Sequence, residues 1–161
     1  NIRIVIPSPA DAAALTQLAH ASKAHWGYPE SWTLRWQADL TITPEFIRTH
    51  QTRAAVQEGI FVGFCALHVE GGQAFVEHFW VRPSHMSRGI GRSLFQQLEE
   101  DARAAGASLL LIESDPHAEP FYQRMGARTV GRKPAMMDAT PRFLAILQKQ
   151  LAEGATALRT V

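Results

Sequence analysis

Apolar and polar positions change rhythm along this chain, and the changes mark its elements. Short apolar runs predict strands over 2–6, 53–57, 60–69, 73–81 and 109–112. Apolar residues at helical spacing, Ala14, Leu15, Leu18 and Ala19, predict a first helix to about Lys23. Ser8 is placed to cap it, with Pro9 at its first position and Asp11 in its first turn. Trp32, Leu34, Trp36 and Leu40 mark a second helix that fades near Thr41, and Thr43-Pro44-Glu45-Phe46 reads as another capped turn. Leu94, Phe95, Leu98 and Ala102 carry a further helix to Gly106.

Turn residues fix the connections. Glu58-Gly59 between two strand-like runs is a hairpin signal, and Gly71-Gly72 makes the next turn, giving a three-stranded meander. After Gly131 a loop is expected over 132–141. Residues 142–147 read as a last strand or as the start of a helix through Leu151, and 154–161 as a frayed tail. The resulting order, β-α-α-β-β-β-α-β-α-β(-β), implies an α/β fold with a mixed sheet.

Composition narrows the class. A chain of 161 residues is expected to form a single domain spanning 1–161 with a proper core. Sixteen basic against fifteen acidic residues leave no basic stripe for nucleic acid, and no apolar run is long enough to suggest a membrane span. The lone cysteine, Cys65, cannot form an internal disulfide and reads as a small core residue; with no signal peptide visible, a reducing cytoplasm is expected. His20 and His25 stand five apart with no third ligand nearby, so no metal site is expected.

The chemistry concentrates in 75–131. There a strand, Phe75 to Val81, leads through a turn into Met86-Ser87-Arg88-Gly89-Ile90-Gly91-Arg92-Ser93, which opens a helix. The first amides of a helix lack partners and carry partial positive charge, and Gly89 and Gly91 let a phosphate approach the main chain. Arg88 and Arg92 add mobile positive charge. The glycines alone fit a pyrophosphate site and an ordinary helix start equally well. A Rossmann unit does not fit: the third glycine is missing and seven residues separate Val81 from Gly89. A P-loop is excluded because no Gly-Lys-Ser/Thr follows.

Paired with Phe121-Tyr122 and Met125-Gly126 about thirty residues on, this loop resembles the core of the GNAT superfamily of acyl-CoA-dependent N-acetyltransferases. That family shows Gln/Arg-x-x-Gly-x-Gly/Ala at the first position and Phe-Tyr at the second. Met86 stands here where Gln or Arg is usual, and His117 where Asn is frequent. The resemblance implies a mixed, mostly antiparallel sheet flanked by helices, with 75–131 as the cofactor core and 132–161 as a variable segment. It also implies acetyl-CoA as cosubstrate, with no metal. Backbone groups of Phe79, Trp80 and Val81 would meet the pantetheine arm, the 86–93 loop the pyrophosphate, and His117, Phe121 and Tyr122 the rest.

The acceptor implied by the resemblance is the amine of a small molecule or a peptide. Trp26 and Tyr28 are candidates for its wall, with Trp32 and Trp36 beside them. The C-terminal part would shape that site or a homodimer contact. Glu77, charged within an apolar strand, is the candidate base, since burial there would suit it to take a proton. His78 points to the opposite face and takes the role if it is the inward residue. At the family's Phe-Tyr position, Tyr122 is the acid candidate for the CoA thiolate. The rival from another class is a domain that binds acyl-CoA without catalysis.

Overall fold

The computed structural model describes residues 1–151 of the chain. Seven strands form one sheet: β1 Arg3–Val5, β2 Gln51–Gln57, β3 Ile60–Glu70, β4 Gln73–Val81, β5 Leu109–Ser114, β6 Arg128–Pro134 and β7 Phe143–Gln150, in the order β1-β2-β3-β4-β5-β7-β6. All neighbours are antiparallel except β4 and β5. Five helices flank it: α1 Ala12–Ala24, α2 Glu30–Arg35, α3 Pro44–Thr49, α4 Ile90–Ala104 and α5 Glu119–Arg124.

The local signals explain most of this. The meander turns where Glu58 and Gly59 take φ of 51° and 78°, the pair of left-handed conformations that a tight hairpin of the right twist requires. Asp11 accepts hydrogen bonds from the Ser8 amide at 2.8 Å and its hydroxyl at 3.2 Å, closing a 3-10 turn at Pro9–Asp11 before α1 begins. The turn at Thr43 is the start of a third helix, α3, which the predicted order lacked. Thr43 Oγ1 accepts from the Phe46 amide at 3.0 Å, as an N-cap should.

One further expectation is corrected: the expected 132–141 loop starts late, because β6 runs to Pro134. Of the two readings of 142–151 the strand holds: β7 is inserted between β5 and β6 and bonds to both, so sheet pairing overrides helix propensity. The predicted frayed tail, 154–161, lies outside the described residues.

The sheet has a core on each face. Leu94, Phe95 and Leu98 of α4 cover Leu110, Ile112 and Leu147, all essentially buried. On the other side Leu15 and Leu18 of α1, with Ile42 and Ile47, cover Phe64. A fully buried Leu or Phe contributes about 1.5–3 kcal/mol, so these two layers hold the helices onto the sheet. Cys65 is buried within the first layer, where burial pushes its thiol up to about 12. It is a packing residue with no nucleophilic character.

Candidate active site

The site follows from the one parallel pair among the described residues. β4 and β5 are in register only from Gln73–Phe75 against Leu109–Leu111; beyond these, each strand stays with its antiparallel neighbour. The two C-terminal ends diverge, and a cavity of about 540 Å³ opens between them. Phe79, Trp80 and Val81 line one side of it, and Asp115, His117, Phe121 and Tyr122 the other.

The N-terminal end of α4 faces the same space. Gly89 has φ of 84° and Ser87 of 62°, so the loop turns sharply before the helix. The amides of Ile90, Gly91 and Arg92 precede the first helical hydrogen bond, which runs from Ser93 N–H to the Gly89 carbonyl at 3.1 Å. These are the unpartnered donors that favour an anion. Met86, Ser87, Gly89, Gly91 and Arg92 line the cavity, whereas Arg88, Ile90 and Ser93 do not. Ile90 is buried in the core instead. Gly91 has a second reason to be glycine: a Cβ there would lie 2.9 Å from Phe121 Cε1. The splayed strands, the free helix amides and the open approach at Gly89 fit an elongated acyl-CoA.

Tyr122 is buried among Phe79, Phe95 and Phe121, with ring centroids 5.3–6.2 Å away. Its hydroxyl makes no hydrogen bond among the described residues, and the residue lines the cavity. Burial first, and the Cys65 thiol second, push the phenol well above its ordinary value. It stays protonated, hence able to donate.

Glu77 is placed differently from expectation. Ala66 pairs with His78 and Leu67 with Val76, so Glu77 is the extra residue of a β-bulge, without a partner in register. Its side chain is exposed and does not line the cavity. The bulge breaks the alternation on which burial of Glu77 was expected. His78 does not line the cavity either. It packs under α3, 5.4 Å from Phe46 and 5.9 Å from Phe64, and its Nδ1 accepts from Trp80 Nε1 at 3.0 Å. Burial, with the charge of His50 adding, pushes it down to about 4, so it is neutral at physiological pH.

One wall of the cavity contains a network that the sequence reading missed. Asp115, just beyond β5, accepts from Lys23 Nζ at 2.9 Å, Arg142 Nη2 at 2.7 Å, the His117 amide at 3.0 Å and the Tyr28 hydroxyl at 2.7 Å. Burial alone would push its carboxyl up, but Lys23 and the other donors outweigh this and hold it below 3.8. Burial holds Lys23 below the usual lysine value in spite of Asp115, and it pushes Tyr28 up to about 12. Trp36 lies under both cations, with its ring centroid 4.1 Å from Lys23 Nζ and 5.1 Å from Arg142 Cζ. Trp32 completes this aromatic layer, 6.0 Å from Trp36.

Trp26 lines the cavity and stacks flat on His117, while Tyr28 stands behind Asp115 and does not reach the cavity. Ser22, also lining, sits with its Oγ 2.9 Å from both the Leu18 and Val81 carbonyls, tying α1 to the end of β4. A serine inside an apolar helix face and an aspartate at the end of an apolar strand were the only signals for these residues. Among the described residues no group of three or more His, Cys, Asp or Glu is arranged for a metal, and no helix is long and apolar enough to cross a membrane.

Comparisons with known proteins agree with this architecture. The fold resembles a GCN5-related N-acetyltransferase from Rhodopseudomonas palustris, with a TM-score of 0.74 and 23% identity over 94% of this chain and 95% of that one. It also resembles the PaiA N-acetyltransferase of Thermoplasma acidophilum in complex with coenzyme A, with a TM-score of 0.73 and 18% identity over 93% and 99%. An IAA acetyltransferase of Azospirillum brasilense is 42% identical over 52 residues, 32% of this chain and 34% of that protein. The chain spans 34–66% of the length of the curated relatives it matches. The Acetyltransferase (GNAT) family profile matches residues 13–127, and the chain belongs to that family.

Proposed function

We propose that this protein is an N-acetyltransferase that moves an acetyl group from acetyl-CoA to an amine of a small molecule or peptide, by direct attack within a ternary complex. One observation carries the reading. The cavity between β4 and β5 has free helix amides at one part and Tyr122 at another, joined by the end of β4. When bound, acetyl-CoA supplies the activated thioester.

The chain's own residues do the rest. The amides of 90–92 and the Arg92 side chain receive the pyrophosphate, and the main chain of Phe79 to Val81 orders the pantetheine arm in extended form. Trp26, with His117 stacked behind it, walls the acceptor side. Tyr122 gives its proton to the departing sulfur, a contribution of about 10²–10⁴ in rate for a positioned acid. Glu77 takes the proton of the attacking amine through water, since its side chain stands outside the cavity. No covalent enzyme intermediate is needed, in keeping with the buried and inert Cys65.

The test is free-thiol release from acetyl-CoA across a panel of amines, with the acetylated product identified by mass. Release that depends on an amine supports the reading. Acetyl-CoA binding without release on any amine would favour a non-catalytic acyl-CoA-binding domain.

A further inference from the structure

The wall built on Asp115 is unbalanced in charge, and of its two cations Lys23 lines the cavity while Arg142 stands behind. Lys23 and Arg142 both close on one carboxylate, and among the described residues neither has another acidic partner. Their side chains are only 12% and 10% exposed, and that of Asp115 16%. Asp115 has nothing left to offer. Its Oδ1 takes the His117 amide at 3.0 Å, its Oδ2 takes Lys23 and Arg142, and the Tyr28 hydroxyl oxygen, with one proton to give, lies 2.9 and 2.7 Å from the two oxygens.

A carboxylate so fully engaged cannot bind an incoming ammonium group. The cations are in the opposite condition. An ammonium has three donors, and Lys23 commits one of them to Asp115; Arg142 engages Asp115 and, at 3.4 Å, the Tyr28 hydroxyl through one terminal nitrogen out of a guanidinium with five donors. A net positive charge held this far from water is costly unless a counter-charge joins it. Lys23 and Asp115 both line the cavity, so a ligand is the available source. The rings of Trp36 and Tyr28 beneath the cations fix their positions without neutralising them.

We infer that the acceptor is a small amine that also carries an anionic group, a carboxylate or a phosphate monoester, held against Lys23 with the charge of Arg142 behind it. This rests on the acetyl-transfer reading and deepens it. The anion completes the charge of the wall, and the amine is left to the part of the same cavity where Tyr122 stands. A diamine or polyamine would bring like charge to the surplus and is selected against.

The experiment is thiol release by the wild-type chain at saturating acetyl-CoA, using acceptors matched except for the anion. L-phenylalanine is compared with L-phenylalaninol, phosphoethanolamine with ethanolamine, and a diamine is included. At least one anionic member is expected to exceed its neutral partner by about tenfold or more in kcat/KM, as one charge-assisted contact allows. The two pairs tell carboxylate from phosphate. Raising ionic strength should shrink the ratio in the wild type, a readout that needs no variant. Lys23→Met, which keeps the apolar stem, should collapse the ratio towards one. Neutral acceptors or the diamine equalling the anionic ones would overturn the inference. Absence of release with every acceptor, whether or not acetyl-CoA binds in calorimetry, would instead remove the acetyl-transfer reading on which the inference stands.

Discussion

The ring of Phe121 occupies the space that a side chain at Gly91 would need: a Cβ there would lie 2.9 Å from Cε1 and 3.2 Å from Cζ. This contact joins the glycine loop to the Phe-Tyr pair, so the two motifs form one packing unit. Gly89, by contrast, has open space around it and a φ of 84°.

The two glycines should therefore fail differently. Gly91→Ala is expected to cost about 1–3 kcal/mol by overpacking and to displace Phe121, and with it Tyr122, so that turnover falls along with stability. Gly89→Ala meets no atoms but strains the backbone, at about 1 kcal/mol or slightly more. A bulky residue at Gly89 should instead block the cofactor. Denaturant melts and acetyl-CoA titrations on the variants separate these outcomes; equal effects at both positions would contradict the packing account.

Removing the Tyr122 hydroxyl should act on chemistry, not on binding. Tyr122→Phe is expected to lower kcat about tenfold to a hundredfold while acetyl-CoA affinity changes little, because the ring contacts with Phe79 and Phe121 remain. Since the phenol lies above its ordinary value of 10, kcat in the wild type should show no loss of this acid up to about pH 9. An unchanged rate in the variant would assign thiolate protonation to solvent.

Glu77→Gln tests the other half of the proton path. Turnover is expected to fall about tenfold or more, again with acetyl-CoA affinity nearly constant, as the side chain does not line the cavity. The measurement is kcat against pH for both proteins. A matching pair of profiles would take the base role away from Glu77. His78 is no ready substitute, being packed against Phe46 with its Nδ1 engaged by Trp80.

His78 should shape acid stability. It is held at about 4 in the fold against an ordinary 6.5, so between these values the unfolded chain takes up a proton that the native chain refuses. Stability then rises with pH across this window and falls as the pH drops from 6.5 to 4, by an amount on the order of 3 kcal/mol. His78→Gln, whose amide oxygen can still accept from Trp80, should flatten that part of the curve in chemical denaturation. An unaltered slope would show that other groups set the acid limb.

What the sequence disclosed depended on how local each signal was. The glycine loop, the Phe-Tyr pair and the meander turns are written in neighbouring residues, and they were legible. The wall of Lys23, Asp115 and Arg142 was not, because its members come from α1, the end of β5 and the segment before β7, with no shared spacing. Glu77 shows a different obstacle. Its charge in an apolar strand was visible, but a bulge that turns it outward depends on the register with β3. The strand at β7 was ambiguous for the same reason, since its partners decided what its propensities could not.

The most direct test of the central claim is calorimetric titration of the wild-type chain and of Gly89→Trp with acetyl-CoA. Saturable one-to-one binding by the wild type, lost in the variant while its fold is retained, is the predicted result. Absence of binding by the wild type, or undiminished binding by the variant, would contradict a cofactor site between β4 and β5 at the start of α4.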